Sequence, residues 1–178
     1  TDLIAARNQS ATVATYANDP GSADIYGAEM SIELLAAKWL SGFANYSYQD
    51  IRQNFTGRVR RGGPHNKFNV GIRAEWENGL SAEAIYHYYG SAMYPPGQSF
   101  SSFSQTGLVT LPNPQVGAYN LLNMRGAYKL WRQKASAGYV REAEVAISVF
   151  NALNDRSKEY PTGEEIGRRI MGWLTVRF

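Results

Sequence analysis

Two histidines, His65 and His87, are the only imidazoles in the chain, and they lie in different segments. A metal centre or an acid–base pair needs further ligands or a positioned partner. His65 stands at a loop-to-strand junction and His87 shares a parity with Glu83, so both are read as hydrogen-bonded loop or wall residues. There is no cysteine, which excludes disulfides and thiolate sites. No Ser-His-acid or paired-acid arrangement stands out, so the chain is read as a non-enzyme with no cofactor and no metal. Two other groupings carry chemistry. Arg58, Arg60 and Arg61, with Arg52 and Lys67 nearby, suit phosphates or an anionic chelate; the alternative is a solvated loop face. Tyr94, Phe100 and Phe103 stand among Gly, Ser, Pro and Gln, and either close over a small molecule or pack their own loop.

A period of two positions these groups. In NKFNVGIRAEW, Phe68, Val70, Ile72, Ala74 and Trp76 share one face, and Asn69, Gly71, Arg73 and Glu75 the other. Such alternation marks a strand with one apolar face. Glu77-Asn78-Gly79 follows as a tight-turn signal, because Asn-Gly tolerates positive φ. LSAEAIYHYY then sets Leu80, Ala82, Ala84, Tyr86 and Tyr88 against Ser81, Glu83, Ile85, His87 and Tyr89. That predicts a hairpin. DIYGAEMSIELL, LSGFANYSYQ, NLLNMRGAYKL, EAEVAISVF and the final RRIMGWLTVRF obey the same rule, and DLIAARNQ is read as one more strand. In NLLNMRGAYKL the apolar set is Leu122, Met124, Gly126, Tyr128 and Leu130.

About eight strands result, each near the ~9–11 residues that a tilted membrane strand needs. Tight turns join the strands near Leu35 and Leu40 and near Trp76 and Leu80. Long connections are expected at 9–22, 52–66 and 90–117. The predicted fold is all-β: an antiparallel transmembrane β-barrel segment of about eight strands, with short periplasmic turns and long extracellular loops. Trp39, Trp76, Trp131 and Phe178 fall at the short-turn end, and Tyr26, Tyr46, Tyr48, Tyr86 and Tyr88 at the long-loop end. Two aromatic girdles at the membrane interfaces are expected from this sorting. Glu29, Glu33, Arg73, Glu83, Arg125 and Glu144 all take the polar parity. Arg or Lys facing lipid at the midplane costs roughly 2–4 kcal/mol, so the opposite face is assigned to lipid. The mixed charges, with Glu75 and Lys129, are expected to pair across strands or to meet a domain inside the lumen. A net charge of +3 argues against nucleic acid as a partner.

The landmarks SADIYGAEMSIEL, ANYSYQD, RRGGPHNKFNVGI, VFNALNDRSKEYP and GRRIMGWLTVRF occur in that order. From about Ala23 to Phe178 the chain resembles the C-terminal barrel segment of a TonB-dependent outer-membrane receptor. The resemblance implies active uptake of a scarce nutrient, such as a ferric siderophore, cobalamin or another metal chelate, across the outer membrane of a Gram-negative bacterium. It implies outer-membrane lipid and lipopolysaccharide as surroundings, and the energy-coupling TonB protein as a partner through a plug domain not in this chain. The last strand, with Trp173, Leu174, Val176 and Phe178, resembles the signal read by the barrel-assembly machinery. Barrels of this kind have about 22 strands and a plugged lumen. Residues 1–178 are therefore expected to be the last part of such a barrel, as a processed chain or a piece of a longer one beginning at Thr1. The other reading is a self-contained eight-stranded outer-membrane barrel with a structural, adhesive or small-channel role. Either missing strands complete the wall, or these strands close on themselves and the last pairs with the first.

Overall fold

The alternation becomes an antiparallel meander. The structure, a computed structural model, describes residues 3–8, 14–19, 22–55, 58–60, 62–94, 113–134 and 140–178. In chain order the strands are β1 (Leu3–Asn8), β2 (Ala14–Asp19), β3 (Ala23–Ala37), β4 (Leu40–Phe55), β5 (Arg58–Arg60) and β6 (Asn66–Glu75). Then come β7 (Leu80–Tyr89), β8 (Ala92–Met93), β9 (Gln115–Val116), β10 (Tyr119–Lys134), β11 (Val140–Phe150) and β12 (Arg169–Arg177). The main sheet runs β12-β11-β10-β7-β6-β4-β3, with β5 paired to β4 off that path. Each long strand thus lies beside its nearest long neighbours in sequence, as a barrel wall is built.

Register carries the two faces across the whole sheet. Leu34, Gly42, Ile72, Ala84, Met124, Val149 and Ile170 are consecutive partners over all seven long strands. The adjacent row, Ser41, Arg73, Glu83, Arg125 and Ser148, points the other way. The apolar face is uncovered: Ile72 is 58% exposed and Leu174 68%. A soluble sheet would bury such a face against a second layer, and no second layer covers it among the described residues.

Two glycines show how closely the wall is fitted. Gly71 stands opposite Phe43, and a Cβ there would lie 2.6 Å from Phe43 Cζ. The ring lies over the glycine. A Cβ on Gly27 would sit 2.8 Å from the Tyr48 carbonyl oxygen, which explains the glycine in Tyr-Gly-Ala-Glu. At the β6–β7 turn, Trp76 N donates to Leu80 O (2.9 Å) and Gly79 N to Trp76 O (3.1 Å). Gly79 has φ +87°, the left-handed residue that a three-residue hairpin loop requires.

Several expectations are corrected. The opening strand, described over Leu3–Asn8, pairs with β2, which lies inside the expected loop 9–22. β4 continues to Phe55 and folds back through β5, so the expected loop 52–66 carries an extended hairpin. The expected loop 90–117 contains the short β8–β9 pair. β10 runs past Leu130 to Lys134 with an irregularity between Lys129 and Trp131, so Trp131, rather than Leu130, continues the apolar row opposite Ala143. A bulge of one residue reverses parity in this way. Among the described residues β12 pairs with β11 alone and β3 with β4 and no further strand of the main sheet, so the last strand does not meet the first.

Candidate functional site

The charged face forms the first candidate. Cross-strand register brings Arg73, Glu83 and Arg125 side by side. Arg125 Nη2 donates to Glu144 Oε1 at 2.7 Å across to β11, and Arg73 Nη2 approaches Glu75 Oε1 at 2.5 Å along its own strand. Arg177 Nη1 reaches Glu142 Oε1 at 2.5 Å. Glu29 Oε1 accepts weakly from Ser47 Oγ at 3.4 Å. A cleft of about 380 Å³ runs along Arg73, Glu75, Glu83, Arg125, Lys129 and Glu144. These groups are part-exposed, so each pair contributes roughly 0–1 kcal/mol to stability. Their alternation in sign makes a polar, hydrated wall without a strong net field.

The histidines take structural places. His87 Nδ1 lies 2.7 Å from Asn69 Oδ1 on the same face. His65 Nδ1 lies 3.0 Å from the Gln49 carbonyl oxygen and 3.7 Å from Asp50 Oδ1, with its ring against Tyr48. Among the described residues no group of three or more His, Cys, Asp or Glu is poised to hold a metal.

The loop candidates separate. Arg58 and Arg60 fall on β5, which pairs with Phe55 and Gln53; Arg61, Phe100 and Phe103 lie outside the described residues. Tyr94 packs its ring on Tyr160, with centroids 5.0 Å apart, joining two long connections. Aromatic rings stand at both ends of the strands. Trp39 and Trp76 stack at 6.0 Å at the short-turn end, where Trp131 and Phe178 also lie. At the other end Phe68 contacts Tyr86 and Tyr88, while Tyr46 and Tyr86 donate to Asn66 Oδ1 and Asn120 Oδ1. From Phe68 to Trp76 is eight residue steps, about 27 Å along a strand. A tilt of ~35–45° reduces that to about 20 Å, near the ~25 Å apolar band of an outer-membrane barrel. On β12, Leu174 and Val176 face outward beside Val145 and Ala143, Trp173 lies on the charged face opposite Ala146, and Phe178 is 89% exposed.

One hub stood in the sequence only as part of the landmark VFNALNDRSKEYP, with no hydrogen-bonding role assigned to it. Asn151 directly follows β11 with φ 51° and is buried. Its Nδ2 donates to the carbonyls of Asp155 (3.1 Å) and Ile166 (3.0 Å), and its Oδ1 accepts from Asp155 N. Asp155 Oδ2 in turn accepts from Asn120 N, and Asn154 Oδ1 from Arg168 N. Asn-x-x-Asn-Asp directly after a strand was the available signal.

An uncovered apolar face on a seven-strand meander, with charges on the other face, defines a segment of membrane β-barrel. The chain matches the family described as TonB dependent receptor-like, beta-barrel, over residues 1–152, and it belongs to that family. Members of this family are receptors and transporters of the bacterial outer membrane. No curated protein matches the chain.

Proposed function

We propose that this chain is part of the wall of an outer-membrane TonB-dependent active transporter that takes up a scarce nutrient. A ferric siderophore, cobalamin or another metal chelate is the expected cargo. The observation that carries this is the pair of adjacent rows: apolar from Leu34 to Ile170 on one face, and Ser41, Arg73, Glu83 and Arg125 on the other. The apolar row meets lipid, with the tryptophans and tyrosines at the two interfaces. The charged row lines the conduit. Arg58, Arg60, Arg61, Tyr94, Phe100 and Phe103 belong to the long connections that meet ligand or lipopolysaccharide outside the cell. The final strand carries the signal for the barrel-assembly machinery. Energy arrives from TonB through a plug outside this chain, and further strands satisfy the open edges, since lipid tolerates no unpaired backbone.

The test is uptake by cells lacking the gene and by the complemented strain. Radiolabelled ferric chelates and cobalamin are supplied with and without a protonophore. Saturable, energy-dependent uptake that vanishes with the gene is expected for one of them. Equal uptake by both strains across the panel would overturn the proposal.

A further inference from the structure

Asn78-Gly79 is the one Asn-Gly step of the sequence, and it stands between β6 and β7. Glycine puts no side chain in the way of its own nitrogen, so this step is open to intramolecular deamidation. The Gly79 nitrogen attacks Asn78 Cγ and gives up its proton as the new C–N bond forms. The Cγ–Nδ2 bond breaks, and the Nδ2 group leaves with that proton as ammonia. Water then opens the resulting succinimide at either carbonyl, so that position 78 becomes an aspartyl residue or an isoaspartyl linkage. The reaction needs no co-reactant beyond water.

The folded turn withholds each group that this reaction uses. Gly79 N donates to Trp76 O at 3.1 Å, so the nucleophile is engaged, and Trp76 N donates to Leu80 O at 2.9 Å and closes the loop. Asn78 Oδ1 accepts from Leu80 N at 3.0 Å, which pins the side-chain amide. Gly79 O accepts from Lys129 N at 3.0 Å, and a Cβ on Gly79 would lie 3.2 Å from Lys129 Cβ. β10 therefore holds Gly79 from its other side. These restraints vanish together when the hairpin opens, because local opening breaks them as one unit. We propose that Asn78 is a deamidation site gated by the fold, closed in the assembled wall and open in a chain that has not yet assembled. An isoaspartyl linkage lengthens the backbone of the turn, and turn length sets strand register. Ile72 pairs with Ala84 across this hairpin in the apolar row, so a reacted chain loses the pairing that keeps its two faces apart. The inference goes beyond the transport reading and does not depend on the cargo.

The test compares the full-length receptor folded in detergent with the same receptor unfolded in guanidinium, both held in mildly alkaline buffer. Mass spectrometry of the peptide containing Asn78 follows the reaction. Deamidation should run at least about tenfold more slowly in the folded receptor, since attack must await an opening that breaks these hydrogen bonds. Unfolded chains aged until Asn78 has reacted are then refolded. Their yield of heat-modifiable barrel should fall severalfold below that of fresh chains. Asn78→Ser, whose hydroxyl can still accept from Leu80 N, should refold equally well before and after ageing. Equal rates in the folded and unfolded receptor overturn the proposal, and this comparison holds whether or not Asn78→Ser folds. Aged chains that refold as well as fresh ones also overturn it, as does an equal loss in aged Asn78→Ser.

Discussion

Asn151 holds a left-handed backbone at φ 51° and serves three hydrogen bonds while only 3% exposed. Asn is among the few residues that adopt this conformation readily, because its side chain can bond locally. Asn151→Ala removes both donors from the carbonyls of Asp155 and Ile166 and strains the backbone. The expected loss is on the order of 2–4 kcal/mol, read as a fall of several degrees in the temperature at which the folded band converts on a gel. Asn151→Gly keeps the backbone and isolates the side-chain share. An unchanged conversion temperature in both variants would remove Asn151 as the hub. Gly71 gives a second prediction. Gly71→Val should impair assembly, because the new side chain meets the Phe43 ring, and Phe43→Ala in the same chain should restore it. No recovery in the double variant would mean that Gly71 acts through the backbone alone. The period of two places Phe43 with Ser41 and Asn45 in LSGFANYSYQ, and Gly71 with Asn69 and Arg73, so both fall on the polar parity. It could not put them opposite each other, because register across two strands depends on where the intervening hairpin turns.

At the scale of elements, parity was legible because each strand repeats it for many residues with one face kept apolar. A shift of one residue would turn every side chain over. What escaped were departures from the repeat. The irregularity at Lys129–Trp131 and the return of β5 onto β4 are local, and polar hairpin extensions beyond the membrane carry no apolar face to mark them. The site was less legible than the fold, since hydrogen bonds of the Asn151 hub tie an irregular connection to residues up to 35 positions away. A charge scan tests the faces. Ile72→Lys introduces a charge on the uncovered apolar row and should cost roughly 2–4 kcal/mol if that row meets lipid. Ile85→Lys, on the row of Gly71 and Asn123, should cost far less. The measurement is the yield of assembled, heat-modifiable barrel in outer membranes. Equal yields would remove the assignment of lipid to the Ile72 face, and the opposite order would reverse it.

At the scale of the whole molecule, the sheet has two edges, β3 and β12, that no described strand of the same sheet covers. Each long edge offers unpaired N–H and C=O groups. In hydrocarbon every unsatisfied group costs several kcal/mol, so the edges must either meet each other or be covered by further strands. Eight strands can close into a small barrel whose lumen side chains nearly fill, whereas a transporter of this family needs a wider wall. The two outcomes differ in a distance. The chain has no cysteine, and six antiparallel steps leave β3 and β12 running in the same direction, so pairs in parallel register, such as Ser31→Cys with Met171→Cys and Glu33→Cys with Trp173→Cys, report edge-to-edge contact without background. No disulfide within the chain is expected in native outer membranes, and an antibody against the chain should detect a polypeptide several times its mass. Efficient β3–β12 cross-linking, with a band at the mass of these residues alone, would mean that the strands close on themselves. The wall-segment proposal would then give way to a compact barrel with a structural, adhesive or small-channel role.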